Sequence, residues 1–486
     1  MKRAVPAAML LFLLLLAGGA ACAKGELSAR RKATVGTFGT ASTLTLYDDY
    51  DVPGNTERFD AVWEEIKQML AQMDALLSTT IETSEIARFN ALRSGEAMEI
   101  SPLTAQVFEA AREMYVRTEG YFNPAVLPLV DLWGFSPRFL AGDDQRMPYD
   151  RERIEGACEE PGQAYIEAFV QLTDLDGIVL EGDGETGYRL RKTTPTVEVD
   201  GIEYNAQIDL GGIAKGYAVD RVLELLAQRG YRYGYFSCGG SSIGFMERAP
   251  AAEGEEKPVF ELEIRSPRKE YSNLSCFARL ELSGQALSSS GDYENTYMIG
   301  DQMCCHLINP KTGYPLNYMP GSVQKGICTV TLLSGSAMED DALTTALCLM
   351  GPKKALDYVN RNLRDRQVIL VLYQTGTPVC EVLTNLPEGE LLLLDDACRI
   401  VSSTDGEGRI AYHGAFFEEL QSSPKNEEQG LPDGRFHRGK TAGTAAPALA
   451  PHPSTASMAA QISGSVTAER SVESMTAWEA VMSSGV

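Results

Sequence analysis

Between Thr34 and about Leu420 the chain alternates runs of helical apolar period with runs rich in β-branched and aromatic residues, which constrains its fold more than any other feature. The segment FDAVWEEIKQMLAQMDALLS sets Val62, Ile66, Met69, Leu70, Met73, Leu76 and Leu77 on one stripe and predicts an amphipathic helix. A second helix is expected after Ser101 as N-cap, with Pro102 at its first position. It buries Val107, Phe108, Ala111, Met114 and Tyr115 and ends at Gly120. A third runs from Gly216 to Arg229, turns Val219, Val222, Leu223 and Leu226 inward, and stops at Gly230. A fourth covers Ala337 to Met350, and Pro352 opens a fifth. Strands are predicted at 36–47, 177–191, 195–201, 232–237, 259–265, 277–282, 325–333, 367–374 and 379–384. Helices mixed with strand pairs that look largely antiparallel imply an α+β domain rather than a regular βαβ array.

Composition narrows what such a domain does. The 486 residues carry 67 Asp+Glu against 43 Lys+Arg, a formal charge of −24. Nucleic-acid binding needs a basic footprint that releases counterions from phosphates, so this class is excluded. Electrostatic docking on anionic lipid is disfavoured for the same reason. From Gln421 onward the chain turns to Ser, Ala, Gly, Pro and Thr, and 421–486 reads as a mostly disordered tail with a weak helix near 467–482.

The first 22 residues, MKRAVPAAMLLFLLLLAGGAAC, have a positive start at Lys2 and Arg3 and an apolar run from Met9 to Ala17. That run is shorter than the ~20 residues a spanning helix needs, so it reads as a signal peptide. Gly19, Ala20 and Ala21 before Cys22 resemble a bacterial lipobox, in which Cys22 is lipidated and anchors an exported protein to the membrane. Ala23 to Lys32 reads as a tether, leaving a single folded domain over 34–420. The remaining cysteines form no CxxC pair and no zinc spacing, and are expected to be buried thiols rather than a disulfide framework.

Four stretches can carry chemistry. In AQIDLGGIAKGYAVDRVLELL a short apolar run ends at Asp209, and Gly211, Gly212 and Lys215 lead into a helix. A glycine-lined bend at a helix start suits an anion, but a plain strand-to-helix turn reads equally well. In MEDDALTTALCLMG, Asp341 and Thr345 stand one helical turn apart and face the same way. A carboxylate beside a hydroxyl suits a hard ion such as Mg²⁺, while acids near a helix start are also simply favourable to the dipole. The stretch GQALSSSGDYENTYMIGDQMCCHLINPKTGYP reads as loop and turns, with His306 as a candidate general base or a structural histidine. Finally, TSEIARFN and GYFNPAVLPLVDLWGF are rich in aromatics that suit either a planar-ligand wall or a core.

Together VGTFGT, TSEIARFN, GYFNPAVLPLVDLWGF, DLGGIAKGYAVD, GQALSSSGDYEN, HLINPKTGYP and DALTTALCLMG, in this order over 35–351, resemble the ApbE-type flavin transferases. The resemblance implies a T-fold-related α+β catalytic domain that binds FAD with Mg²⁺. It further implies transfer of FMN to a Thr or Ser hydroxyl of a target flavoprotein, with release of AMP. Carried over by position, Asp341, Thr345 and the Gly212 carbonyl correspond to the metal ligands. Val35, Thr80, Tyr121, Phe122, Asn123, Asp209, Lys215 and Ile308 fall at cofactor contacts. His306 matches the histidine that activates the acceptor hydroxyl, and Lys215 adds charge at the diphosphate. The chain departs from the pattern at Val35, often Met, and at Thr80, where the family stacks an aromatic on the flavin. It departs again at Asn123, Asn309 and Thr344, often acidic, and around the double glycine of SCGGSSI. Water in place of the hydroxyl would give an FAD pyrophosphatase, and loss of turnover a flavin-binding lipoprotein.

Overall fold

In Gln367–Gln374 the residues Val368, Leu370 and Leu372 alternate with Ile369, Val371 and Tyr373, and both rows are buried. A strand of that kind belongs inside a sheet covered on both faces. The computed structural model describes residues 27–135, 160–247, 260–268, 274–416 and 475–476. The signal segment with Cys22, Cys158, and the tail 421–486 apart from Met475–Thr476 lie outside the described residues.

The central sheet has nine strands: β1 (Ser28–Val35), β2 (Ala41–Asp48), β3 (Gly234–Cys238), β4 (Ser242–Phe245), β5 (Ala286–Gly291), β6 (Lys325–Ser334), β7 (Gln367–Gln374), β8 (Cys380–Thr384) and β9 (Cys398–Ile400). They lie side by side in chain order. Every pairing is antiparallel except β8 with β9. This is the α+β architecture expected from the sequence, and the other elements are excursions from the meander.

The helices are α1 (Asn55–Leu77), α2 (Glu85–Asn90), α3 (Pro102–Arg117), α4 (Leu127–Leu132), α5 (Gln163–Gln171), α6 (Gly211–Gln228), α7 (Ala337–Met350) and α8 (Pro352–Asn362). α6 and α7 pack against one face of the sheet, where Leu44, Phe236, Val330 and Leu370 join the main core. The other face packs Tyr235, Ile243, Ile369 and Val371 against a second, four-stranded sheet that includes Phe260–Arg265 and Cys276–Leu282. Among the described residues no helix is long and apolar enough to cross a membrane.

Several expectations need correction. β1 begins at Ser28, inside the segment read as a tether, because the extended run Ser28–Val35 pairs residue for residue with β2. The run expected as one strand at 177–191 is a hairpin of Ile178–Asp183 and Gly187–Lys192. α6 starts at Gly211 rather than Gly216, so both glycines belong to its first turn. The stretch read as a loop contains β5 and the hairpin Thr296–Ile299/Gln302–Cys305. Its serines hide a strand because β5 pairs with β4 and β6 on its two sides, which overrides weak local propensity. Within the range read as a weak helix, Met475–Thr476 is a short strand beside Phe260–Arg265. The cysteines behave as expected: Cys238, Cys276, Cys304, Cys305, Cys328, Cys348, Cys380 and Cys398 are buried free thiols.

Candidate active site

The site is assembled around the start of α6. Buried Asn90, the last residue of TSEIARFN, clamps the peptide of Ile208: its Nδ2 donates to the Ile208 carbonyl and its Oδ1 accepts the Ile208 N–H, both at 2.8 Å. One residue on, the Asp209 N–H donates to the Pro124 carbonyl at 2.8 Å, which ties this segment to the GYFNP turn. In that turn Asn123 caps itself by accepting the Ala125 N–H at 2.9 Å and donates to the Thr173 carbonyl at 2.8 Å. The Asp209 carboxylate then accepts the Gly211 N–H at 2.7 Å, closing the bend before the helix.

Two glycines let the next layer approach. A Cβ on Gly212 would stand 3.1 Å from the Phe122 ring, so the helix start lies directly on that aromatic. A Cβ on Gly216 would stand 2.2 Å from the Ala337 carbonyl, a contact no side chain tolerates. α6 and α7 therefore cross at backbone distance. The Asp220 carboxylate locks the crossing by accepting the N–H groups of Ala337 and Met338, at 2.8 and 3.1 Å, at the start of α7.

That crossing delivers Asp341. Its Oδ2 accepts the Gly216 N–H at 3.1 Å and faces the Lys215 Nζ at 3.6 Å, while Lys215 also donates to the Gly211 carbonyl at 2.9 Å. Burial pushes the Asp341 and Asp209 carboxyls above the ordinary carboxylate range. Burial, the largest single influence on Lys215, would lower it, but the neighbouring Asp341, Cys238 and Asp209 together outweigh burial and raise it, which favours the ammonium. One turn along α7, the Thr345 hydroxyl donates to the Asp341 carbonyl at 3.3 Å and lies 3.2 Å from the Ser290 hydroxyl on β5.

The opposite wall comes from the excursion between β5 and β6. His306 Nδ1 lies 3.0 Å from the Glu294 carbonyl. A carbonyl only accepts, so Nδ1 carries the proton and Nε2 is left with its lone pair. Burial, with the Lys215 charge adding to it, holds this imidazole below its usual 6.5. The loop is anchored by a buried pair in which Arg268 donates to both oxygens of Asp292, at 2.7 and 2.6 Å, with the guanidinium 3.6 Å above the Tyr373 ring.

These walls enclose a cleft of about 660 Å³. Tyr121, Phe122, Asn123, Asp209, Gly212, Lys215, His306, Ile308, Asp341 and Thr345 all line it, so the structure brings ten of the anticipated site residues together. Val35 and Thr80 are not among its lining. Val35 ends β1 at 72% exposure, and Thr80 lies exposed in a turn where its backbone N–H donates to the Ser78 hydroxyl. Phe38 lines the cleft instead, held in a left-handed backbone conformation (φ 53°) with its N–H on the Asp74 carboxylate at 3.1 Å. The sequence reading missed Phe38, although it lies within VGTFGT. It also gave no role to Ser289, Ser290, Glu294 or Arg265, because nothing local in a serine run or a charged strand marks a cleft wall.

Among the described residues no group of three or more His, Cys, Asp or Glu is placed to hold a metal ion. A metal here would need a mixed oxygen set, and one is present: the Asp341 carboxylate, the Thr345 hydroxyl and the Gly212 carbonyl. In a regular helix the Gly216 N–H serves the Gly212 carbonyl, and here Asp341 draws on that same N–H. The donor set fits a hard divalent cation.

The sequence model of the ApbE family matches residues 38–370. Curated relatives named FAD:protein FMN transferase include one from Haemophilus influenzae, 30% identical over 67% of this chain and 82% of its own. Another, from Escherichia coli K12, is 28% identical over 68% of this chain and 80% of its own. Among solved structures, the flavin transferase ApbE from Vibrio cholerae shares the fold with a TM-score of 0.54, at 23% identity over 72% of this chain and 98% of that one. A family match spanning most of the chain, together with the shared fold, shows that this protein belongs to the ApbE family.

Proposed function

We propose that this protein moves the FMN half of FAD onto a Thr or Ser hydroxyl of an acceptor flavoprotein, with Mg²⁺ bound, and releases AMP. That it is an enzyme of the flavin transferase kind follows from its family and its curated relatives. The finer reading rests on one observation: the close crossing at Gly216 sets Lys215 and Asp341 3.6 Å apart on the wall of a cleft that His306 also lines.

The residues divide the work as follows. The helix start at Gly211–Gly212 and the Lys215 ammonium receive the diphosphate of FAD. Asp341, Thr345 and the Gly212 carbonyl would hold Mg²⁺, which when bound neutralises charge on the phosphoryl oxygens. His306 Nε2 accepts the proton of the incoming hydroxyl. The new bond joins that oxygen to the phosphorus of the FMN half, and the bond to the departing AMP phosphate breaks. Tyr121, Phe122, Asn123 and Ile308 wall the cleft around the nucleotide. We also propose that the chain is exported and anchored outside a bacterial membrane by lipid on Cys22, from its lipobox-like start.

The test incubates the protein with FAD, Mg²⁺ and a flavoprotein domain bearing an acceptor threonine, reading in-gel flavin fluorescence and AMP. A labelled acceptor with stoichiometric AMP is expected. FMN and AMP without labelling would make the enzyme a pyrophosphatase, and bound FAD without AMP would leave only a flavin binder. Labelling that persists in EDTA would remove the metal from the reading.

A further inference from the structure

We propose that Lys192, which does not line the cleft, is a positioning residue for FAD: its ammonium holds Asn90, and Asn90 sets the bend that receives the diphosphate; this rests on the transferase reading above. Lys192 closes the strand Gly187–Lys192 and is fully buried, an unusual place for a lysine. Its Nζ donates to the Leu92 carbonyl at 2.8 Å and to the Asn90 carbonyl at 3.3 Å, and lies 5.0 Å from the centre of the Phe89 ring. These partners are two carbonyls and a ring face rather than a carboxylate. Burial pushes the group down to about 8, opposed by the Glu96 charge, which leaves it an ammonium at pH 7.

The groups it holds lead straight to the site. Phe89 and Asn90 end α2, and the chain then turns through Leu92. The Lys192 main chain grips the same turn: its N–H donates to the Glu96 carbonyl at 2.9 Å, and its carbonyl accepts the Gly95 N–H at 2.7 Å. From this turn two bonds cross to the segment before α6. One is the Asn90 clamp on Ile208, 2.8 Å on both sides; the other runs from the Ser94 N–H to Asn205 Oδ1 at 3.1 Å. The residue after Ile208 is Asp209, whose carboxylate closes the bend on Gly211. Lys192, Asn90, Ile208 and Asp209 thus form an unbroken relay from the interior to the cleft wall, across three segments distant in sequence.

Directed charge is what a lysine adds here. A methionine of similar length would fill the same space without the cost of taking an ammonium out of water. The ammonium instead supplies charged donors to the carbonyls on either side of Ala91, which fixes the Asn90 main chain and with it the direction of its carboxamide. Removing those donors frees the clamp to swing. On the proposed function the bend receives the diphosphate while His306 comes from the opposite wall, so the effect falls on FAD affinity rather than on the chemical step.

The experiment uses the full chain and its variants Lys192→Met, Asn90→Ala and the two combined, with FAD and Mg²⁺ as the probe. Each single variant should raise the Kd for FAD, read by flavin fluorescence, about tenfold, with kcat for transfer at saturating FAD within about twofold of the parent. Combined, the two should cost little more than either alone, because Lys192 acts through Asn90. Amide exchange measured without nucleotide should quicken at Ile208 and Asp209 in Lys192→Met. Should that variant fail to fold, Lys192→Gln, which keeps a neutral donor, carries the comparison. The parental Kd in either single variant, or losses that multiply in the combined one, would overturn the relay, as would a drop in urea stability with no change in FAD affinity. Absence of AMP release by the parent chain would instead overturn the transferase reading, with exchange at Ile208 still deciding the relay.

Discussion

On one side of the cleft Lys215, Gly216 and Asp341 meet where two helices cross at backbone distance; at the rim Phe38 sits in a left-handed turn between β1 and β2 while Val35 and Thr80 face outward. The first region is fixed by helical period, since residues one turn apart on α6 or α7 have little choice of direction. The second is fixed by turn geometry, where a neighbour in sequence can point anywhere. The residues anticipated at the helix crossing therefore line the cleft, whereas Val35 and Thr80 do not. On the proposed function, charge handling falls to the rigid helices and ring recognition to the adaptable edge.

The largest expected effect lies at the crossing. Asp341→Ala should reduce AMP release by about a thousandfold or more, because it removes the carboxylate that faces Lys215 and the candidate ion. Unchanged AMP release would take Asp341 out of the site and level the contrast between the two regions.

The next effect tests the wall that carries His306. Arg268→Ala leaves the buried Asp292 carboxylate without its counter-ion, held by the Asn317 amide alone, which should cost about 3–5 kcal/mol in urea unfolding. A loss below that range would mean the loop holding Glu294 and His306 does not depend on this pair.

His306→Ala should slow transfer about a hundredfold while leaving FAD affinity nearly unchanged, and equal losses in both would make the residue structural. As the proposed base His306 acts as the neutral imidazole, and burial holds it below the usual 6.5. Transfer should therefore be full at pH 7 and fall as pH drops through that lowered value. The same depression means this group contributes stability above 6.5 that is lost as pH falls through the folded value. A transfer profile whose acid limb lies above 6.5 would exclude His306 as the base.

The smallest effect separates Phe38, which lines the cleft, from Thr80, which does not. Phe38→Ala should weaken FAD binding by about 1 kcal/mol, the scale of one aromatic contact, whereas Thr80→Ala should leave it unchanged. Fluorescence titration of FAD reads both, and the reverse ranking would restore position 80 as the ring contact.

The helices were legible because their signals are local. Ser101 caps α3, accepting the Thr104 N–H, with Pro102 at its first position, and α7 spans Ala337–Met350 as its period and Gly351 imply. β5 was not legible, since its Ser288–Ser289–Ser290 run resembles a loop until two neighbouring strands claim it. Small side chains are needed there: the Ser288 hydroxyl donates to the Ala337 carbonyl at 3.2 Å, directly under α7. The cleft-facing role of Phe260–Arg265 was equally invisible, because a strand that walls a cleft has no sequence signature of its own.

By itself the sequence determined the helix stripes and caps, the antiparallel α+β pattern, and the spaced motifs whose order places the chain in its family. Those rest on interactions within a few residues, or on patterns that survive without coordinates. Only the tertiary structure decided that Phe38 reaches the cleft, that Gly216 is where two helices touch, and that a buried Arg–Asp pair props up the wall holding His306. Each of these joins segments tens or hundreds of residues apart, and such contacts exist only after the chain has folded back on itself.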